Sequence, residues 1–241
     1  MVHVYPDAAA VFKAAADLFA EQASKSIAAR GRFVANLSGG STPKGVFELL
    51  GQPPYRDQVP WDKVHLWWGD ERCVGPDDPK SNYHMTRLAM IDHVKIPKGN
   101  VHPVDGTLPP VDGARKYEDE IKQFFGKDKP QFDLIFLGLG DNGHTASLWP
   151  DSPVLEEKKR LAAEAYAPEQ DLWRVTLTAP ILNEGRLIAF LLKGADKADV
   201  LKQVLEGPYQ PKTLPAQLIK PTSGELRWLV DEAAAAKLSK K

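Results

Sequence analysis

Cysteine is nearly absent from this sequence. Cys73 is the only cysteine among 241 residues, so the chain cannot form an internal disulfide or a metal site built from several cysteines. This low cysteine content fits a reducing compartment.

Long hydrophobic runs and an excess of charge are also missing. No apolar run approaches the roughly 20 residues needed to span a bilayer, and the N-terminus lacks the basic segment and apolar core of a signal peptide. The 31 Lys and Arg residues nearly balance the 32 Asp and Glu residues, which gives no general attraction for nucleic acid or an anionic membrane. We therefore expect a soluble, cytoplasmic protein with no nucleic-acid or membrane partner, in which any anion is bound locally.

Predicted strands alternate with predicted helices along the chain. The apolar patterns predict strands at residues 2–5, 32–37, 64–68, 101–104, 132–137, 172–177, 186–192 and 225–230. They predict helices at residues 8–29, 44–50, 82–91, 109–125 and 195–205, and a short helix in the Ala- and Lys-rich tail, 231–241. No Gly/Ser-rich linker divides the chain, so residues 1–241 are expected to form one domain, an α/β sandwich with a mainly parallel sheet.

The strand predicted at 32–37 is followed by small residues that suit an anion-binding loop. Gly39 and Gly40 let backbone N–H groups approach a ligand closely, and Ser41 and Thr42 add hydroxyl donors. Pro43 is predicted at the first position of the next helix, whose N-terminus adds partial positive charge. An ordinary strand-to-helix turn with a Ser or Thr cap is the alternative interpretation.

Charged residues follow the strand predicted at 64–68. In the loop predicted there, Arg72 can hold a phosphate through two hydrogen bonds from its planar guanidinium. Asp70 and Glu71 can orient a base or bind sugar hydroxyls. A solvated group of charges is the alternative.

The most informative loop follows the apolar strand predicted at 132–137. His144 comes directly after its last glycine, and Thr145 or Ser147 can cap a following helical turn. Ligands bind at the carboxyl ends of parallel strands, and histidine moves protons near neutral pH. His144 is therefore the candidate acid–base catalyst, and a structural histidine is the alternative.

The same loop matches the G-x-G-x-x-G pattern of dinucleotide-binding folds at residues 138–143. The match lies in the middle of the chain, and Asp141 and His144 crowd the place of a pyrophosphate. Pro150 and Pro153 also shorten the helix that should follow. A dinucleotide-binding oxidoreductase is therefore disfavoured.

Two lysines flank Gly194 after the strand predicted at 186–192. Lys197 opens the next predicted helix and can reach an anion there, whereas Lys193 precedes the glycine. A solvated helix lysine is the alternative for Lys197.

Four segments together resemble the signatures of the 6-phosphogluconolactonase family. They read SGGSTP from Ser38, GDERCVGPDDPKSNY from Gly69, GLGDNGHTASLWP from Gly138 and, more weakly, GADK from Gly194. The resemblance runs from about residue 5 to residue 230. The related glucosamine-6-phosphate deaminases typically carry a DEY-type motif and a GHIAFNEP-type run, whereas Arg72 follows Asp70-Glu71 here and the run is GHTASLWP.

The resemblance implies a three-layer α/β/α fold like that of the glucosamine-6-phosphate deaminases and ribose-5-phosphate isomerase. It implies hydrolysis of 6-phosphoglucono-1,5-lactone to 6-phosphogluconate in the oxidative pentose phosphate pathway. The expected partner is this small sugar-phosphate lactone, no cofactor or metal is obligatory, and we expect a monomer or weak homodimer.

His144 is the expected catalyst, together with Asp70. The residues expected to hold the phosphate are Gly39, Gly40, Ser41, Thr42, Arg72 and Lys197, and the expected oxyanion loop contains Gly140, Asn142 and Gly143.

One position departs from the family pattern. The residue before Gly143 is usually Asp, and here it is Asn142. Asn cannot take a proton or add charge beside the imidazole, but it can orient a group by hydrogen bonding. A deaminase or isomerase of sugar phosphates and a non-catalytic sugar-phosphate-binding protein are the alternative functions.

Overall fold

The computed structural model describes residues 1–239, which form ten strands and seven α-helices. The strands are β1 (Val2–Tyr5), β2 (Phe33–Leu37), β3 (Val64–Trp68), β4 (Asp70–Arg72), β5 (Val101–His102), β6 (Leu134–Leu137), β7 (Ala162–Ala167), β8 (Leu172–Leu177), β9 (Leu187–Leu192) and β10 (Glu225–Asp231). The helices are α1 (Ala8–Arg30), α2 (Ser41–Leu50), α3 (Tyr55–Gln58), α4 (Asn82–Ala89), α5 (Pro110–Phe125), α6 (Ala179–Leu182) and α7 (Ala198–Glu206).

Seven strands build the main sheet, in the order β1-β10-β9-β6-β2-β3-β5, and every neighbouring pair is parallel. Its central strands β2, β6 and β9 are buried throughout, which is why their sequences are almost continuously apolar. The predicted α/β/α sandwich with a mainly parallel sheet is confirmed.

A separate hydrophobic core lies on each face of the main sheet. One core is built against α1 and α2, and the other against α5, α7 and the strands β7 and β8. Trp67 and Trp68 are neighbours in β3 and belong to opposite cores, with both side chains 0% exposed. The alternation of side chains along a strand makes this possible.

A second, antiparallel sheet of three strands has the order β4-β8-β7. The prediction of a loop at Asp70–Arg72 was therefore wrong, because these residues pair with Arg174–Thr176 of β8. Strand β7 was not predicted, and it pairs along its whole length with β8. The pairing partners of β4 lie about a hundred positions away, so local sequence gave no signal of it.

Two helix predictions also need correction. Helix α2 begins at Ser41, so Pro43 is its third residue and not its first. The tail is not a helix in its described part: β10 continues to Asp231, and turns follow. The carboxylate of Asp231 accepts hydrogen bonds from the N–H groups of Ala234 and Gly194, which ties this turn to the end of β9. Residues 240 and 241 of the predicted tail helix lie outside the described residues.

No helix begins in residues 145–152, so Thr145 and Ser147 do not cap one. The Thr145 hydroxyl instead donates to the carbonyl of Gly138 at 2.8 Å, and Thr145 forms a bridge with Leu148. These contacts close the segment after β6 into a compact loop. Within residues 1–239, no helix has the length and apolar character needed to cross a membrane.

Candidate active site

A small cavity of about 170 Å³ opens at the carboxyl end of β2, β3 and β6. Parallel strands place their following loops along one edge, so three loops that lie far apart in sequence meet here. The cavity is lined by Ser38, Gly39, Gly40, Asp70, Arg72, Asn82, Gly138, Leu139, Gly140, His144, Thr145, Ala146, Gln170 and Arg174. The loops predicted to share a crevice therefore do so.

His144 is held by close packing. A Cβ atom on Gly140 would lie 2.0 Å from Nδ1 and Cε1 of the imidazole, so only glycine leaves room for the ring. The Trp149 ring lies 3.8 Å from the imidazole, centroid to centroid, at an interplanar angle of 31°. These two contacts restrict the ring to a narrow range of positions.

Asn142 determines which imidazole nitrogen carries the proton. Its Oδ1 lies 2.6 Å from His144 Nδ1 and also accepts the backbone N–H of His144 at 3.2 Å. An amide oxygen only accepts hydrogen bonds, so Nδ1 must be the donor and Nε2 keeps a free lone pair. Asn142 thus orients the histidine, although its own side chain does not line the cavity.

The pKa of His144 is lowered to about 4, and burial of the imidazole is the largest cause. The nearby positive charges of Arg174 and Lys197 act in the same direction, whereas the carboxylates of Asp70 and Asp141 act in the opposite direction. The imidazole is therefore neutral at pH 7, the state in which Nε2 can accept a proton.

Asp70 and Arg174 form a buried ion pair beside the histidine. Arg174 donates to Asp70 Oδ2 at 3.1 Å, and the two residues are 4% and 5% exposed, respectively. The Ser147 hydroxyl donates to the same oxygen at 2.7 Å. The guanidinium of Arg174 also contacts the Gln170 side-chain oxygen and lies 5.7 Å from the Trp149 ring centroid.

Sequence reasoning missed Arg174, Asn82 and Gln170 as parts of this site. Arg174 could have been singled out from the sequence, because it is the one charged residue in the predicted strand Leu172–Leu177. A charged side chain is rarely buried in a strand unless it is paired.

The two carboxylates of the GDER segment have different tasks. Glu71 is 2% exposed, and its oxygens accept from the N–H groups of Arg72, Asn82 and Tyr83 and from the Ser81 hydroxyl. Burial raises its pKa, and these hydrogen bonds oppose that effect. Glu71 therefore holds the start of α4. Its oxygens have no spare capacity, so the sugar-hydroxyl contact predicted for Glu71 from the sequence does not fit the structure.

Arg72 lines the cavity, as expected for a residue that meets an anion. Its NH1 group contacts the carbonyl of Lys80, and burial lowers its pKa, with the carboxylates of Asp70 and Glu71 opposing. Among residues 1–239, the Nε groups of Arg72 and Arg174 are buried without a hydrogen-bond acceptor. Each arginine can therefore still donate to a bound anion.

The glycine loop before α2 faces the same cavity. A Cβ atom on Gly39 would lie 2.0 Å from Asn82 Oδ1, so glycine is required for this close approach. No side chain caps α2. The N–H groups of Ser41 and Thr42 at its start have no intrahelical acceptor and carry partial positive charge. Ser41 and Thr42 lie in the first turn of α2, behind Gly39 and Gly40 and outside the cavity lining.

Three backbone N–H groups of the loop, those of Gly140, Gly143 and His144, are not available for the expected oxyanion role. The N–H of Gly140 donates to the carbonyl of His144, and the N–H of Gly143 donates to the carbonyl of Gly140, both at 2.9 Å. The His144 N–H is taken by Asn142. These groups stabilise the loop itself and are not free to bind a ligand. Gly143 packs against Leu214, away from the cavity.

The two candidate lysines are separated by the structure. Lys197 contacts the Asp141 carboxylate and lies 3.6 Å from that of Asp196, at the rim of the site and outside the cavity lining. Lys193 instead lies 5.8 Å from the Phe12 ring centroid, so it faces helix α1. Within residues 1–239, no group of three or more His, Cys, Asp or Glu side chains is arranged to hold a metal ion.

Comparison with known proteins gives relatives that share one name, 6-phosphogluconolactonase. The 6-phosphogluconolactonase of Synechocystis sp. is 43% identical over 219 residues, covering 89% of this chain and 88% of the relative. The human 6-phosphogluconolactonase is 36% identical over 243 residues, covering 99% of this chain and 94% of the relative. The solved structure of the Trypanosoma cruzi 6-phosphogluconolactonase superposes with a TM-score of 0.88 at 27% identity, covering 99% of this chain and 96% of that one.

The family described as glucosamine-6-phosphate isomerases/6-phosphogluconolactonase matches residues 6–228. This match includes every residue that lines the cavity and both strands that carry the buried Asp70–Arg174 pair. The chain therefore belongs to the glucosamine-6-phosphate isomerase/6-phosphogluconolactonase family.

Proposed function

We infer that this chain is a hydrolase that opens 6-phosphoglucono-1,5-lactone to 6-phosphogluconate. The family includes isomerases as well as lactonases, but the relatives at 36–43% identity over most of the chain are lactonases. The observation that carries the inference is the neutral His144, with its free Nε2 beside two arginines in one cavity. Hydrolysis of a phosphorylated lactone needs a base that takes a proton from water and cationic groups that bind the phosphate. The cavity supplies the base as His144 and the cations as Arg72 and Arg174.

We assign phosphate binding to the positive side of the cavity. Its donors are the free N–H groups at the start of α2 and the guanidinium groups of Arg72 and Arg174. Lys197 adds positive charge from the rim and would need to exchange Asp141 for the phosphate. Ser41 and Thr42 contribute through the backbone of the first turn of α2. Anchoring the phosphate would hold the lactone carbonyl close to His144, which replaces a bimolecular encounter by a fixed geometry.

We assign the proton transfers to His144. Its Nε2 takes a proton from water while the water oxygen bonds to the lactone carbonyl carbon. The resulting tetrahedral anion collapses, the bond from this carbon to the ring oxygen breaks, and the imidazolium returns the proton to that oxygen. We assign stabilisation of this anion to the Nε–H groups of Arg72 and Arg174, which lack an acceptor, because the N–H groups of Gly140, Gly143 and His144 are already bonded within the loop.

Asp70 supports this chemistry without accepting the proton from water. Its carboxylate holds Arg174 and Ser147 in place. Its negative charge raises the pKa of His144, which favours the imidazolium formed during the reaction.

The test is proton release after addition of freshly made 6-phosphogluconolactone, compared with the lactone that lacks phosphate. We expect acceleration well above spontaneous opening for the phosphorylated lactone alone. His144→Ala should lower kcat by about 10²–10⁴-fold, the usual contribution of a general base, while circular dichroism shows an unchanged fold. Turnover by His144→Ala close to that of the unmodified chain would rule out the histidine mechanism.

The alternative functions predict other products. Release of ammonia from glucosamine 6-phosphate would indicate a deaminase, and tight binding of 6-phosphogluconate without lactone opening would indicate a binding protein. A dinucleotide-binding oxidoreductase is disfavoured further, because no helix follows the glycine pattern and the His144 ring occupies the space above Gly140.

We also propose that the chain works as one domain, as a monomer or weak homodimer, in the cytoplasm. The single-domain proposal is supported by both hydrophobic cores, which pack on the same seven-stranded sheet. The proposed location rests on the low cysteine content and the substrate class. Sedimentation of the full chain over a range of concentrations would test the oligomeric state.

A further inference from the structure

A short turn between β7 and β8 contacts both sides of the site. The turn, Pro168–Gln170, carries Glu169, whose Oε1 accepts a hydrogen bond from Asn142 Nδ2 at 3.2 Å. The next residue, Gln170, contacts the guanidinium of Arg174. The Glu169 carboxylate therefore reaches Asn142, whose Oδ1 forms the hydrogen bond with His144 Nδ1.

An asparagine at position 142 needs to be oriented, because its side chain has two different ends. Oδ1 accepts hydrogen bonds and Nδ2 donates them. If the amide turned over, Nδ2 would face His144 Nδ1. His144 Nδ1 would then have to accept a hydrogen bond from Nδ2. The imidazole proton would then move to Nε2 and remove the free lone pair of the proposed base.

Two contacts oppose this reversal of the amide. The backbone N–H of His144 donates to Oδ1, and Glu169, which only accepts when ionised, attracts Nδ2. An aspartate has two equivalent oxygens and would need neither contact. The carboxylate at position 169 is thus matched to the presence of asparagine, and not aspartate, at position 142.

We propose that Glu169 is a positioning residue that fixes the direction of the Asn142 amide and so keeps the proton of His144 on Nδ1. This proposal rests on the proposed function, in which Nε2 is the base. Glu169 lies on the protein surface, so its substitution leaves the core intact.

The direct experiment is a proton–nitrogen correlation spectrum of the histidine side chains, with His144 assigned by comparison with His144→Gln. At pH 7 and without substrate, we expect the Nδ1–H tautomer in the unmodified chain and in Glu169→Gln, where an acceptor oxygen is kept. Glu169→Lys places a donor opposite the amide, and we expect it to shift His144 toward the Nε2–H tautomer. An unchanged tautomer in Glu169→Lys would overturn the proposal.

Kinetics provide the second readout. Glu169→Ala should lower kcat about three- to tenfold, the effect of one exposed hydrogen bond, with little change in KM. Glu169→Lys should lower kcat by about tenfold or more, and Glu169→Gln should stay near the unmodified rate. Glu164→Gln is the matched control, because Glu164 lies on β7 and pairs with Arg160, away from Asn142.

A double variant separates positioning from other roles. In the Asn142→Asp background the amide direction no longer exists, so Glu169→Ala should cause no fall in kcat. An equal fall in both backgrounds would overturn the proposal. The tautomer is read without substrate, so it tests Glu169 independently of turnover. If His144→Ala kept full activity, the proposed mechanism would fail, whatever the tautomer spectra showed.

Discussion

The two sheets of this molecule contribute different things to one cavity. The seven-stranded parallel sheet is buried on both faces and ends in glycine loops, and those loops place His144 and the N-terminus of α2. The three-stranded antiparallel sheet places Asp70, Arg72 and Arg174. The large sheet thus supplies the shape of the site, and the small sheet supplies most of its charge.

This division separates two kinds of vulnerability. A change in the loops of the large sheet should displace the proposed catalyst, His144, while leaving the fold intact. A change in the small sheet should leave a charge buried without a partner, and therefore reduce stability as well as activity. The following variants test this difference.

The largest expected effect is on stability, from Arg174→Met in the small sheet. This change leaves the buried Asp70 carboxylate without its cation, and loss of one partner of a buried pair typically costs about 3–5 kcal/mol. Urea denaturation should show this decrease in the free energy of unfolding. The double variant Asp70→Asn with Arg174→Met should recover part of it, because no uncompensated charge remains. Equal stability of Arg174→Met and the unmodified chain would contradict the buried-pair interpretation.

The next effect is on activity, from Gly140→Ala in the large sheet. The new methyl group would lie 2.0 Å from the imidazole, so the ring must move, and misplacement of a catalytic group by about 1 Å can cost about 10²-fold. We expect such a fall in kcat/KM with nearly unchanged unfolding by urea. Gly99→Ala is the matched control, since no atom lies within 4 Å of its added Cβ. A severe loss of stability in Gly140→Ala would contradict the expectation that changes in the loops of the large sheet affect activity and leave stability unchanged.

The smallest effect is expected from Asn142→Asp, which alters charge within a loop of the large sheet. The pKa of His144 is lowered to about 4, so the neutral base is lost only as pH falls toward this value. A carboxylate beside Nδ1 favours the imidazolium and raises this pKa, so the acid limb of the kcat/KM profile should move to higher pH. Activity at pH 8 should be kept or raised. A large fall at pH 8 would mean that the amide itself is required.

The sequence predicted the large sheet better than the small one for a physical reason. Strands such as Leu134–Leu137 are buried on both faces, so their apolar runs are visible locally. Strand β7, Ala162–Ala167, is rich in alanine and alternates weakly, and Asp70–Arg72 becomes a strand only by pairing with β8. The proposed catalytic histidine, His144, could be singled out because a glycine loop precedes it, whereas Arg174 could be placed only by the fold.

The described part of the tail shows a different error, in which composition predicted a helix where the chain forms turns. Its alanines favour a helix intrinsically, but Ala234, Ala235 and Leu238 are buried in the core beside α5 and α7. The Asp231 carboxylate fixes the first turn by accepting the Ala234 N–H. Tertiary packing and one side-chain hydrogen bond decided the conformation.

The pairing of Asp70 with Arg174 joins residues 104 positions apart, and this distance along the chain affects how activity appears during folding. Contacts between distant segments form late, since loop closure costs entropy before the contact stabilises anything. Helices and strand pairs between nearby segments can form earlier, at a stage when Arg174 has not yet reached the cavity. Recovery of lactone hydrolysis after denaturation should therefore lag behind recovery of the helices, which makes enzyme activity a marker of a late stage of folding.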